Sequence, residues 1–241
     1  MKTKLSKVLL MSALLTTIIG LQANSSTLQE LKKETRNVGD FSSIVFAISG
    51  DLYLSQGDKN EVIIEADPEM LEKITTEVKG NALIIEFEKW YNQNNRGKIN
   101  VYITVKSLEK VTLTGSGNIL NKTKINAPDL GLVLTGSGSI NINDLTTQNV
   151  KSIISGSGDI KIKGNSKGKS LDAVITGSGT IDASLLSFAI ADLTITGSGS
   201  ISADVFDKLE AFITGSGKIT YIGKPLIDAN ITGSGKIVNG N

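Results

Sequence analysis

The chain has no cysteine and no histidine. Missing cysteine excludes a disulfide scaffold, thiol nucleophiles and attachment of a lipid to an N-terminal cysteine. Missing histidine removes His-dependent triads and, with cysteine, nearly all zinc sites. Arginine occurs only as Arg36 and Arg96, so bidentate capture of phosphate or carboxylate has few residues to draw on. Charge of one sign is missing too: 25 basic against 24 acidic residues leave a net +1, with no electrostatic footprint for nucleic acid. Aromatics are sparse at 5%, which argues against the stacking platforms that sugar sites favour. The one long apolar run, Val8–Leu21, is short of the roughly 20 residues that a membrane-spanning helix needs.

What the chain does have is a repeat. Thr114-Gly115-Ser116-Gly117-Asn118-Ile119 returns with first glycines at Gly136, Gly156, Gly177, Gly197, Gly215 and Gly233, at spacings of 21, 20, 21, 20, 18 and 18 residues. Before each first glycine stands a hydroxyl residue: Thr114, Thr135, Ser155, Thr176, Thr196, Thr214, Thr232. Before that stands Leu or Ile, from Leu113 to Ile231. Two positions past the second glycine is always isoleucine: Ile119, Ile140, Ile160, Ile181, Ile201, Ile219, Ile237. The residue before that isoleucine is polar in every copy.

Each copy therefore reads as a short strand, a glycine corner and a second strand. Such a unit cannot bury its apolar side alone, and stacked coils about 4.8 Å apart would place the isoleucines over one another inside. The pattern predicts an all-β fold, a single-stranded parallel β-helix with coils of 18–21 residues. A β-propeller is excluded, because each blade takes about 40 residues. Both glycines of the corner are expected to supply φ > 0. The variable second corners, such as Ala127-Pro128-Asp129 and Gly223-Lys224-Pro225, leave one fixed corner and one free face.

The rest of the chain divides around this array. Residues 1–23, with Lys2, Lys4 and Lys7 before the apolar run, read as a secretory signal peptide ending near Ala23. Residues 24–37 read as a linker or short frayed helix, and residues 38–241 as one domain. Within it, 38–110 are irregular N-terminal coils that shield the first edge, and 111–241 are the regular array. One short helix is expected from Asp67 as N-cap and Pro68 at its first position, with Met70, Leu71 and Ile74 on its apolar face, ending before Gly80.

The corner block Leu134-Thr135-Gly136-Ser137-Gly138-Ser139-Ile140, its relatives, and Ser49-Gly50-Asp51-Leu52-Tyr53-Leu54-Ser55-Gln56-Gly57 resemble the putative auto-transporter adhesin head GIN domain family. Ile219-Thr220-Tyr221-Ile222-Gly223-Lys224-Pro225 is similar to that family's ending. The resemblance spans Val38–Ile237. It implies an exported, adhesin-like β-helical protein of Bacteroidetes-type envelopes. Many members look like lipoproteins, and this chain lacks the cysteine that lipid anchoring uses.

No catalytic set emerges. The Gly-Ser-Gly corners are followed by a strand, not by the helix whose N-terminus a phosphate loop needs. The corner serines are expected to satisfy local backbone groups rather than to form a free hydroxyl row. A glycosidase needs two facing carboxylates, and Asp144, Asp159, Asp182, Asp204 and Asp228 fall at different places in their repeats. Trp90 and Tyr91, beside the amide-rich Asn92–Asn95, are the most conspicuous candidate contact point, unless Trp90 plugs the first coil. No cofactor and no metal site is expected.

The reading is a non-enzymatic binding protein in the periplasm, on the outer-membrane surface or outside the cell. It would contact glycans or extracellular and envelope proteins through outward columns such as Asn141, Lys161, Asp182 and Ser202. An envelope scaffold is the alternative and a carbohydrate-active enzyme the distant one. Self-association through an exposed solenoid end is a further expectation.

Overall fold

The computed structural model describes residues 31–89, 91 and 97–241. The signal-peptide reading of residues 1–23 lies outside the described residues, as does Trp90. The N-terminal part contains β1 (Lys32–Arg36), β2 (Ser43–Phe46), β3 (Asp51–Gln56), β4 (Glu61–Ala66), α1 (Pro68–Lys73), β5 (Ile74–Lys79), β6 (Ala82–Phe87) and β7 (Asn100–Val105). The array follows with β8 (Lys110–Gly115), β9 (Asn118–Asn121), β10 (Ile125–Asn126), β11 (Asp129–Gly136), β12 (Ser139–Ile142), β13 (Leu145–Thr146) and β14 (Asn149–Gly156). It continues through β15 (Asp159–Gly177), β16 (Thr180–Gly197), β17 (Ser200–Gly215), β18 (Lys218–Ile222), β19 (Leu226–Gly233) and β20 (Lys236–Asn239).

The fold is a β-solenoid, as the repeat predicts. One face stacks the strands that lead into the corners, β8, β11, β14 and the later halves of β15, β16 and β17, ending on β19, all parallel. A second face stacks the strands that leave them, β9, β12, the starts of β15, β16 and β17, then β18 and β20. Short pairings such as β10 with β13 close the third side. The register repeats the sequence columns residue for residue: Thr114 lies beside Thr135, and Thr135 beside Ser155. Alternation along each strand sends every second side chain inward. Ile119, Ile140, Ile160, Ile181, Ile201 and Ile219 are fully buried in one column, as are Leu113, Leu134, Ile154, Ile175 and Ile195 in the other.

The N-terminal coils do not stack in chain order. Strand β2 lies between β6 and β8, and β3 lies between β7 and β9. The coil made first is thus enclosed between one made later and the start of the array. Gly50 takes the place of a second corner glycine, and its carbonyl accepts from Asn118 N–H at 2.8 Å. Beyond β7 the chain runs antiparallel: β4 against β7, β1 against β4 and β5 against β6. These strands cover the first edge. Strand β1 corrects the linker reading, since Lys32–Arg36 pair with Val62–Ala66. Helix α1 starts at Pro68 with Asp67 at the N-cap, but the Asp67 side chain makes no capping bond. The helix stops at Lys73, short of the expected end, because Ile74–Lys79 are drawn into a hairpin with β6.

The inward and outward assignment is testable in mid-array. Ile181 is 0% exposed, whereas the adjacent Thr180 faces outward and is half-buried. Ile181→Ala should cost about 2–5 kcal/mol in denaturant unfolding, the usual range for a packed core truncation. Thr180→Ala should cost much less, and equal losses would contradict the assignment.

Candidate interaction surface

The corners define the most regular exterior surface. In each one the first glycine has φ between 109° and 130°, a region that L side chains avoid. The second glycine does not share that conformation, contrary to expectation, and is glycine for a packing reason. A Cβ on Gly179 would lie 2.5 Å from the Gly158 carbonyl oxygen and 2.8 Å from Ile154 Cγ2. Between coils the Gly115 carbonyl accepts from both Ser137 N–H and Gly138 N–H at 3.1 Å, and the Gly117 carbonyl accepts from Ser139 N–H at 3.0 Å.

From Ser137 onward the N–H of each corner serine donates to the first-glycine carbonyl of the preceding coil, and the serine hydroxyl takes no part in these bonds. This corrects the expectation of local satisfaction. Ser116, Ser137, Ser157, Ser178, Ser198, Ser216 and Ser234 are all exposed, as are the hydroxyl residues two positions earlier. None of these hydroxyls hydrogen-bonds to another described residue. The result is two parallel columns of free hydroxyls, stepped by about 4.8 Å and roughly 30 Å long.

On the second face, Asn141, Lys161, Asp182, Ser202 and Thr220 do form one outward column. Part of it is tied up internally: Asp182 accepts from Ser184 N–H at 3.1 Å and from its hydroxyl at 2.6 Å. In the neighbouring outward column, two residues earlier on each strand, Asn118 donates to Asp51 at 2.9 Å and Ser139 donates to Asn118 at 2.9 Å.

The first face carries an acidic column that the aspartates compared in the sequence did not reveal. Asp172, Asp192, Glu210 and Asp228 lie in register on consecutive coils. Each stands five residues before a first corner glycine, the signal that would have found them. Lys151 closes the column on one side with an ion pair to Asp172, and Lys208 bonds Glu210 at 2.5 Å. Partial burial, then the like charges of Asp172 and Glu210, push the Asp192 carboxyl above its ordinary range, with Lys151 opposing. An open groove of about 670 Å³ runs beside Lys151 and Asp172, floored by Leu130 and Val150. Among the described residues no three His, Cys, Asp or Glu side chains converge to hold a metal ion. The acidic side chains are spread along the solenoid rather than gathered.

Tyr53 and Tyr102 serve the N-terminal coils. Tyr53 and Tyr102 stack with centroids 5.2 Å apart, Lys122 Nζ sits 4.2 Å from the Tyr53 centroid and Lys33 Nζ 5.2 Å from that of Tyr102. Glu65 accepts from Tyr102 Oη and Asn100 Nδ2, each at 2.8 Å. The bond to Glu65, with burial behind it, pushes the Tyr102 phenol up to about 12. Both ring faces are thus used inside the protein, and the stack fastens β1 and β4 to the coils. Tyr91 is half-buried with its ring 5.1 Å from that of Phe87.

This is a β-solenoid with a regular, mostly polar exterior. The chain belongs to the family described as putative auto-transporter adhesin, head GIN domain, which matches residues 40–225. No curated protein matches it. Among solved structures it is similar to a putative adhesin from Bacteroides fragilis NCTC 9343, at 25% identity and TM-score 0.83, over 88% of this chain and 97% of that one. A putative lipid binding protein from Parabacteroides distasonis ATCC 8503 has 26% identity and TM-score 0.75, over 88% and 97%. A putative adhesin from the same organism has 25% identity and TM-score 0.70, over 87% and 97%. The family and two of these three neighbours are described as putative adhesins. Among the described residues no helix is long and apolar enough to cross a membrane.

The acidic column has a pH signature. A carboxyl whose folded pKa is raised opposes folding when charged, so its penalty is present above that range and is lost as pH falls through it. Asp192→Asn should therefore raise the unfolding free energy at neutral pH, by no more than about 0.5 kcal/mol at this exposed position. The gain should vanish below the ordinary aspartate value of about 3.9. A gain that persists in acid would contradict the charge explanation.

Proposed function

We propose that the protein is exported by a cleaved signal peptide and binds surfaces at the cell envelope through its repeated polar columns. The observation that carries this reading is the double column of corner hydroxyls, all exposed and without partners among the described residues. Each hydroxyl offers one weak contact, and repetition in register gains strength through multivalency rather than through a single tight site. Glycans and extracellular or envelope proteins, which present many polar groups at repeated intervals, are the ligand classes that such a surface fits.

The test combines location with binding. Surface protease treatment of intact cells should degrade the protein, and mass spectrometry should place its mature start close to Asn24. Purified protein is then applied to glycan arrays, matrix proteins and lipid vesicles. Ser178→Ala alone should change binding little, while replacing the corner hydroxyls of four consecutive coils by alanine should weaken it progressively. Trp90→Ala tests the separate contact proposed at Trp90 and Tyr91. Turnover of a polysaccharide, or loss of binding through one corner substitution, would overturn the broad-surface reading. Protection from external protease would favour an envelope scaffold instead.

A further inference from the structure

The two ends of the solenoid differ. At the N-terminal end, antiparallel β1, β4 and β5 cover the edges, and α1 buries Met70 and Leu71 against the core. At the other end β19 pairs only with β17 and β20 only with β18 among the described residues. The inward-facing side chains of this last coil are left in solvent: Ile227 is 44% and Ile231 41% exposed, while their counterparts Leu209 and Ile213 are buried. An exposed apolar edge of eight residues is a template for pairing with another strand.

We propose that this end docks on the same end of a second copy, with β19 antiparallel to β19 of the partner subunit and Ala229 on the two-fold axis. A two-fold operation reverses the strand, so the contact is antiparallel, and residues directly opposite then share a face. Three symmetric registers are available around the strand centre. Centring on Asp228 sets that carboxylate against its own copy. Centring on Asn230 sets Ile227 against a glycine. Centring on Ala229 sets Ile227 against Ile231 of the partner subunit on the inner side, twice over. On the outer side the same register sets Asp228 against Asn230 of the partner subunit, an acceptor facing a donor, and it places the small Ala229 side chains together at the axis. The sequence Leu226-Ile227-Asp228-Ala229-Asn230-Ile231-Thr232 is therefore self-complementary in one register. Head-to-tail stacking has no matching edge, because the opposite end is covered, so the assembly closes as a dimer and does not grow into a filament. This inference stands independently of the adhesive reading. It would join the two solenoids end to end with their corner arrays on opposite edges of the shared face, because the reversed strand carries Gly233 at its other end.

The native chain has no cysteine, so a single introduced thiol reports the register cleanly. Ala229→Cys and Asn230→Cys are compared under mild oxidation, alongside sedimentation of the unmodified protein and of Ile231→Lys. The unmodified protein should sediment at twice the monomer mass. Ala229→Cys should cross-link to a dimer in high yield, and Asn230→Cys, which faces Asp228 of the partner subunit, should not. Ile231→Lys should be monomeric with an unchanged circular dichroism spectrum, since Ile231 is already partly exposed. A monomer at every concentration would overturn the proposal. Equal cross-linking of both cysteine variants, or a dimer that survives Ile231→Lys, would overturn it as well.

Discussion

The structure depends on how closely one coil can approach the next at a single corner. The carbonyl of the first glycine takes the serine N–H of the following coil, and at Gly115, Gly136 and Gly215 it takes the second-glycine N–H as well. That geometry leaves no room for a Cβ: one on Gly136 would lie 2.5 Å from the Gly115 oxygen. Once the corners are locked, the strands on either side have no freedom of register. The leucine and isoleucine columns then superimpose, and outward residues fall into straight columns. The hydroxyl columns follow from the same constraint, because backbone groups satisfied between coils need nothing from serine.

A solenoid built this way has ends, and the ends carry the unsatisfied part of the design. The N-terminal end resolves the problem by abandoning the repeat for antiparallel strands, a short helix and a Lys33–Tyr102–Tyr53–Lys122 stack that holds the cover in place. The C-terminal end keeps the repeat to its last coil and presents its inward side chains. The two proposed contacts divide along the same lines: many weak ones on the long regular flank, and one specific self-contact at the open end.

The array was legible in the sequence because seven copies align themselves on the corner glycines, and a column of isoleucines at constant offset has one physical meaning. The acidic column was equally available at five residues before the corner, yet comparison of residues after the corner passed over it. The enclosure of β2 and β3 between later strands was not legible. It rests on pairings such as Ile44 with Leu83 and Leu52 with Val101, distant in the chain and marked only by the lone Gly50. The tyrosine stack was hidden for the same reason, since Tyr53 and Tyr102 meet only through that pairing. Strand β1 was missed because Lys32–Arg36 is entirely polar, and its partner strand, not its own pattern, makes it a strand. The free state of the corner hydroxyls required knowing that the backbone was already satisfied across coils.

The central claim is that coil-to-coil approach, and not the turn conformation alone, requires the second glycine. Gly179 tests it directly, since its φ is not of the left-handed kind and only space opposes a side chain. Denaturant unfolding of Gly179→Ala should show a loss of about 1–3 kcal/mol, the cost of overpacking. Ser178→Ala, one residue away and exposed, should stay within about 0.5 kcal/mol of the parent. A Gly179→Ala protein as stable as Ser178→Ala would contradict the account.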